Sequence, residues 1–106
     1  MNVETYKAAA IFFSLAEKAA KEGGFWVSAS GGTANVVARL ISRATGVEFE
    51  EAHRALCTMG IHIYGECWYQ HLADSQPFGW DEWHDSVPGR YDVRTIAKVA
   101  CKRALA

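Results

Sequence analysis

Apolar side chains recur along this chain with the spacing of helices more than of strands. From about Val3 to Glu22, Tyr6, Ala9, Phe12, Phe13, Ala16 and Ala20 share one side of a 3.6-residue wheel, with Glu4, Lys7, Ser14, Lys18 and Lys21 opposite. Ile11 is the misfit, an apolar residue on the polar side. Asn2 is placed to cap this helix, Glu17 and Lys21 are spaced to pair on its surface, and Gly23-Gly24 ends it. A second helix is predicted from its cap at Thr33 to Thr45, with Val37, Leu40, Ile41 and Ala44 on one face and Gly46 as the stop. A third, about Glu50 to Met59, turns Phe49, Ala52, Leu56 and Met59 inward and is closed by Gly60.

Residues 61–74 fit two patterns. Ile61-His62-Ile63-Tyr64 alternates as a strand does, while Ile61, Tyr64, Trp68 and Leu72 also fall on one helical face; a helix from about Glu66 to Ala73 is the reading adopted. Between Gln76 and Tyr91, Pro77, Pro88, two glycines and four aromatic residues predict a long aromatic loop, with one helical turn at Trp80 to Asp85. The last helix starts at its cap Asp92 and buries Val93, Ile96, Ala97, Ala100 and Ala104. These elements predict an all-α fold, a compact bundle of about five short helices forming a single domain over residues 1–106. The variant is a mainly α fold with one short strand pair, drawn from Phe25-Trp26-Val27 or from Ile61 to Tyr64.

Composition narrows the classes. At 106 residues the chain is long enough to bury roughly 65% of the surface its unfolded form exposes, so it needs no disulfide or metal to hold it. The longest mainly apolar stretch, Ala8 to Ala16, is too short to span a bilayer, and the N-terminus lacks the basic start of a secretory signal. A cytoplasmic address and three free thiols (Cys57, Cys67 and Cys101) are therefore expected. Eleven basic against twelve acidic side chains leave a net charge of −1, without the field that non-specific nucleic-acid or membrane binding requires. Locally the balance breaks: from Asp74 to Asp92 five acids meet one base, whereas from Val93 onward Arg94, Lys98, Lys102 and Arg103 stand without an acid.

Several motifs bear on chemistry. The predicted helices on either side of Gly46 and Val47 resemble a helix-turn-helix in their packing positions, small Ser42 and Ala52 and apolar Val47 included. The second helix, however, would lead into DNA with Glu48, Glu50 and Glu51, which repel phosphate. Arg39, Arg43 and Arg54 are the residues a duplex-binding reading would use. His53 and Cys57, and again Cys67 and His71, stand four apart, so two such pairs on facing helices would suit zinc; short CxxC or HxxxH knuckles are missing. Ser30-Gly31-Gly32-Thr33 offers helix-start N–H groups, but without the lysine or glycine spacing of a phosphate loop. On the last helix, Arg94, Lys98 and Lys102 form a basic row that suits phosphates or simply the helix end. No serine lies in a Gly-x-Ser-x-Gly elbow and no histidine is joined to a nucleophile by a local signature, so neither an enzyme nor a cofactor is expected.

The most distinctive stretch is Phe78-Gly79-Trp80-Asp81-Glu82-Trp83-His84-Asp85. Tryptophans supply the large contact area of interface anchors, and acids around them favour a basic partner. The alternative is that the rings fold back into a core whose helices are rich in alanine. The expectation is a non-enzymatic protein that binds another macromolecule through Phe78, Trp80, Asp81, Glu82, Trp83 and Asp85. Its partner would be a protein with a basic surface, or a second copy of the chain as a homodimer; nucleic acid is less favoured, and no membrane is involved. From size alone, such a chain is of the kind that phages and mobile elements encode as inhibitors of host machinery, anti-CRISPR proteins among them. A DNA-binding regulator is the second reading, and a zinc-stabilised domain with His53, Cys57, Cys67 and His71 is the third.

Overall fold

A computed structural model describes residues 2–23, 27, 32–77 and 93–106. Among these residues there are five helices and no strand: α1 (Val3–Lys21), α2 (Gly32–Thr45), α3 (Phe49–Tyr64), α4 (Trp68–Asp74) and α5 (Val93–Leu105). The all-α bundle is the architecture expected from the periodicity. No helix among the described residues is long and apolar enough to cross a membrane.

Helix α1 is the axis, lying against each of the other four helices. It therefore buries more than one stripe: Thr5, Ala8, Ala9, Phe12, Phe13, Ala16, Ala19 and Ala20 are all inaccessible to solvent or nearly so. Ile11, the misfit of the wheel, packs against the same core because α1 has neighbours on several sides. Five of those eight positions are alanine, which lets neighbouring helices approach closely, and α5 answers with Ala97, Ala100 and Ala104. At its start Asn2 caps as expected, its Oδ1 accepting from the Thr5 N–H at 3.1 Å; at its end Lys21 pairs with Glu17 at 2.9 Å. The second and third elements pack on α1 and on each other, and α5 closes the other side of α2. The α2–α3 corner turns at Gly46, with the Ser42 hydroxyl donating to the Val47 carbonyl at 2.6 Å.

Four expectations change. Helix α3 does not stop at Gly60 but runs on through Ile61, His62 and Ile63 to Tyr64, so these residues are helical and not a strand. The glycine is needed for proximity instead: a Cβ there would lie 2.7 Å from both Cβ and Cδ1 of Trp68. Gly65 is the real stop, in the left-handed conformation at φ 74°, its N–H bonding the Ile61 carbonyl at 2.8 Å. Helix α4 accordingly starts at Trp68 and not Glu66. Phe49, expected inward, opens α3 at the surface and leans on the His53 ring, 5.9 Å between centroids. Helix α2 begins at Gly32, which leaves Thr33 inside its first turn instead of at the cap.

Of the strand candidate Phe25-Trp26-Val27, only Val27 is among the described residues. It is fully buried, and both of its backbone groups are taken by one side chain: Gln76 Oε1 accepts from its N–H at 2.7 Å and Gln76 Nε2 donates to its carbonyl at 3.4 Å. This amide clamp does for Val27 what a strand partner would do, since a buried backbone group left unpaired costs about 1–3 kcal/mol. The expected terminator Gly24, the turn at Trp80 to Asp85 and the cap Asp92 lie outside the described residues.

The closeness of Gly60 to Trp68 gives a test. In an open helix Gly→Ala would stabilise by about 1 kcal/mol through propensity. Here the added methyl meets the Cβ of Trp68, an atom that no rotamer change moves away. Gly60→Ala should therefore lower stability by about 1–2 kcal/mol in urea denaturation, and an unchanged or raised midpoint would contradict the contact.

Candidate functional site

The six residues expected to meet a partner, Phe78, Trp80, Asp81, Glu82, Trp83 and Asp85, lie outside the described residues. The described helices have an aromatic cluster of their own. Phe12 and Phe13 of α1 meet edge to face with centroids 5.6 Å apart, and Trp68 of α4 packs on both rings at 5.6 and 5.3 Å. Tyr64 of α3 completes the group, 5.7 Å from Phe13. Such pairs add about 0.5–1.5 kcal/mol each beyond the area they bury.

Polar groups extend this cluster to the surface. The Tyr64 hydroxyl donates toward Glu17 Oε2 at 3.3 Å, with the Phe13 carbonyl as second acceptor at 3.5 Å. Its ring stacks on His71 with centroids 4.1 Å apart, and His71 Nδ1 lies 2.8 Å from Glu66 Oε1. The Lys21 ammonium, helped by the Tyr64 hydroxyl, holds the Glu17 carboxyl below its usual range despite partial burial. Burial, and then the Glu17 charge, push the Tyr64 phenol well above its ordinary value. This chain of contacts ties α1, α3 and α4 together.

The four residues of the zinc reading separate into two environments. His53 Nδ1 sits 3.8 Å from Cys57 Sγ within α3, whereas His71 is engaged with Glu66 and Tyr64. Among the described residues, no group of three or more His, Cys, Asp or Glu is arranged to hold a metal ion. All three cysteines are free thiols. Burial raises the Cys57 pKa, with nearby Cys67 adding to the rise and the Trp68 indole N–H working against it; burial alone raises Cys101. Both are thereby kept as neutral packing groups.

Two arginines of the DNA reading, Arg54 and Arg43, line separate hollows. Arg54 lines a hollow with Asn35, Phe49, Glu50 and His53, next to the exposed acids of the first turn of α3. Arg43 instead lines a groove between α2 and α5 together with Lys98 and Lys102, over a floor of Leu40, Ala44, Cys101 and Leu105. Arg39 stands one helical turn before Arg43 and is likewise exposed. Two basic rows from distant parts of the chain are thus brought together. Neither α2 nor α5 contains an aspartate or glutamate, while between them they carry Arg39, Arg43, Arg94, Lys98, Lys102 and Arg103, all exposed. The signal was present as an acid-free composition over 32–45 and 93–105, but only the packing shows that the two stretches are neighbours.

Comparison with protein-family models, with curated proteins and with solved structures finds no match to this chain.

The Glu17 contacts predict a pH dependence. Because its folded pKa lies below the ordinary 4.5, the stability it contributes is present above that value and is lost as pH falls through the lower folded one. The pair with Lys21 is partly exposed, so the effect is small. Glu17→Gln should cost about 0.5 kcal/mol at pH 7 and progressively less as pH falls below 4.5, read as the difference in urea midpoint between the two proteins at each pH. A deficit that persists undiminished at pH 3 would assign the loss to packing.

Proposed function

We propose that this chain is a non-enzymatic binding module that grips a protein partner with a basic surface through Phe78, Trp80 and Trp83, with Asp81, Glu82 and Asp85 as rim charges. The observation that carries the reading is the make-up of residues 78–85, where three large aromatic rings and three carboxylates fall within eight positions. The ring cluster of Phe12, Phe13, Tyr64 and Trp68 is meanwhile assembled from α1, α3 and α4. Phe78, Trp80 and Trp83 add three further rings, set among acids. Rings of this kind anchor interfaces, and carboxylates around them select a cationic partner and speed the encounter. Inhibition of host machinery, expected from size alone, is one use such a surface would serve.

A duplex-binding regulator built on the α2–α3 corner fits less well. Arg54 lines a hollow that also holds Glu50, apart from the groove that Arg43 lines, and Glu48 and Glu51 are exposed on the same turn of chain.

The test uses the full chain. With the partner captured by the wild-type protein in hand, Trp80→Ala and Trp83→Ala should each weaken binding at least tenfold in a titration, which is the loss expected of an interface anchor. Their helical circular dichroism and melting should stay near wild type. Loss of helix in both variants would place the rings in the core and remove the interface.

A further inference from the structure

The groove between α2 and α5 carries an inference that goes beyond the acidic aromatic segment, because its chemistry is the opposite. Arg43 from one side and Lys98 and Lys102 from the other stand along an apolar floor in which Leu105 is 44% exposed. Among the described residues no carboxylate lines the groove or pairs with any of the three cations. Three unpaired like charges held along one groove raise its local potential, and an apolar floor gives them company that only an amphipathic ligand can use.

We infer that this groove docks an acidic amphipathic peptide segment of a second protein, with its apolar side chains on Leu40, Ala44 and Leu105 and its carboxylates on Arg43, Lys98 and Lys102. Charge complementarity selects the sign of the ligand, and the floor selects its class. A nucleic-acid backbone would satisfy the cations but place phosphate and sugar over leucine, leaving that surface without a partner. It would also extend from Arg43 toward the exposed Glu48, Glu50 and Glu51, which follow directly on the end of α2 and repel phosphate. A single peptide helix is narrow enough to lie along the groove and stay clear of them. Helix-in-groove recognition of this kind spaces its apolar anchors at i, i+3, i+4 and i+7, which fits a ligand as short as two or three turns.

The probe is a fluorescein-labelled 16-residue peptide carrying leucine at helical spacing and glutamate elsewhere, titrated with the full chain by anisotropy at about 0.15 M salt. A peptide of the same composition in scrambled order and a 20-base-pair duplex serve as the other arms. The amphipathic peptide should bind at least tenfold more tightly than either. Replacing Arg43, Lys98 and Lys102 together by glutamate should abolish binding, and Leu105→Gln, which keeps every charge, should weaken it several-fold. Lys7→Glu, a reversal on the exposed face of α1, should leave it unchanged. Where the triple variant melts early, Lys98→Gln and Lys102→Gln make the same comparison at exposed helix positions, each with a several-fold loss. Tighter binding of the duplex, equal binding of the scrambled peptide, or indifference to Leu105→Gln would each overturn the proposal, as would no binding of the amphipathic peptide at all.

Discussion

Close approach of helices to α1 is the constraint on which the rest of the bundle depends. One helix can touch four others only if most of its buried side chains are small, and alanine at positions 8, 9, 16, 19 and 20 meets that condition. Small contacts bury little area each, so bulk has to be supplied locally. It is supplied in one place, where Phe12 and Phe13, from the middle of α1, meet Tyr64 of α3 and Trp68 of α4. The dense ring cluster and the alanine seams are two parts of one packing solution, since native interiors reach the same density everywhere. Gly60 belongs to that solution too: the indole of Trp68 can lie flat against α3 only where α3 has no side chain.

Periodicity made α1, α2 and α5 legible, because each has a polar face to contrast with its buried one. The end of α3 was not legible for a definite reason. A glycine within a helical run marks either a stop or a close approach, and the local sequence around Gly60 is the same in both cases; the choice is made by Trp68, eight residues on and in another helix. The alternation of Ile61 to Tyr64 misled in a similar way. Ile61 and Ile63 are both exposed while Tyr64 alone turns back to α1, so the apparent two-residue period reflects surface isoleucines and not a half-buried strand. Gln76 is a third instance: nothing in its neighbourhood announces a side chain that hydrogen-bonds both backbone groups of a residue 49 positions away.

For the basic groove, the sequence showed each row but not their meeting. Arg39 and Arg43 were grouped with Arg54 because all three flank the α2–α3 corner in the chain. Three-dimensional packing regroups Arg43 with Lys98 and Lys102 and sends Arg54 elsewhere. Distance along the chain is a poor guide to shared faces when the partner helix is the last element, and net charge averages the two faces to near zero.

Helix electrostatics alone do not explain this distribution. Basic residues in a last turn complement the carbonyl end of the macrodipole, which accounts for Arg43, Lys102 and Arg103. The effect fades within a turn of the helix end, so Lys98 and Arg39, in the middle of their helices, gain nothing from it. Solubility is no better an account, because a soluble surface is served by mixed charges, and α1 and α3 do mix them. Like charges clustered on two packed helices repel one another in the folded state, a cost that an interspersed acid would relieve. Its absence from both α2 and α5 leaves a repulsion that an acidic ligand in the groove would relieve, and that gain on binding is what couples the groove's charge to its apolar floor.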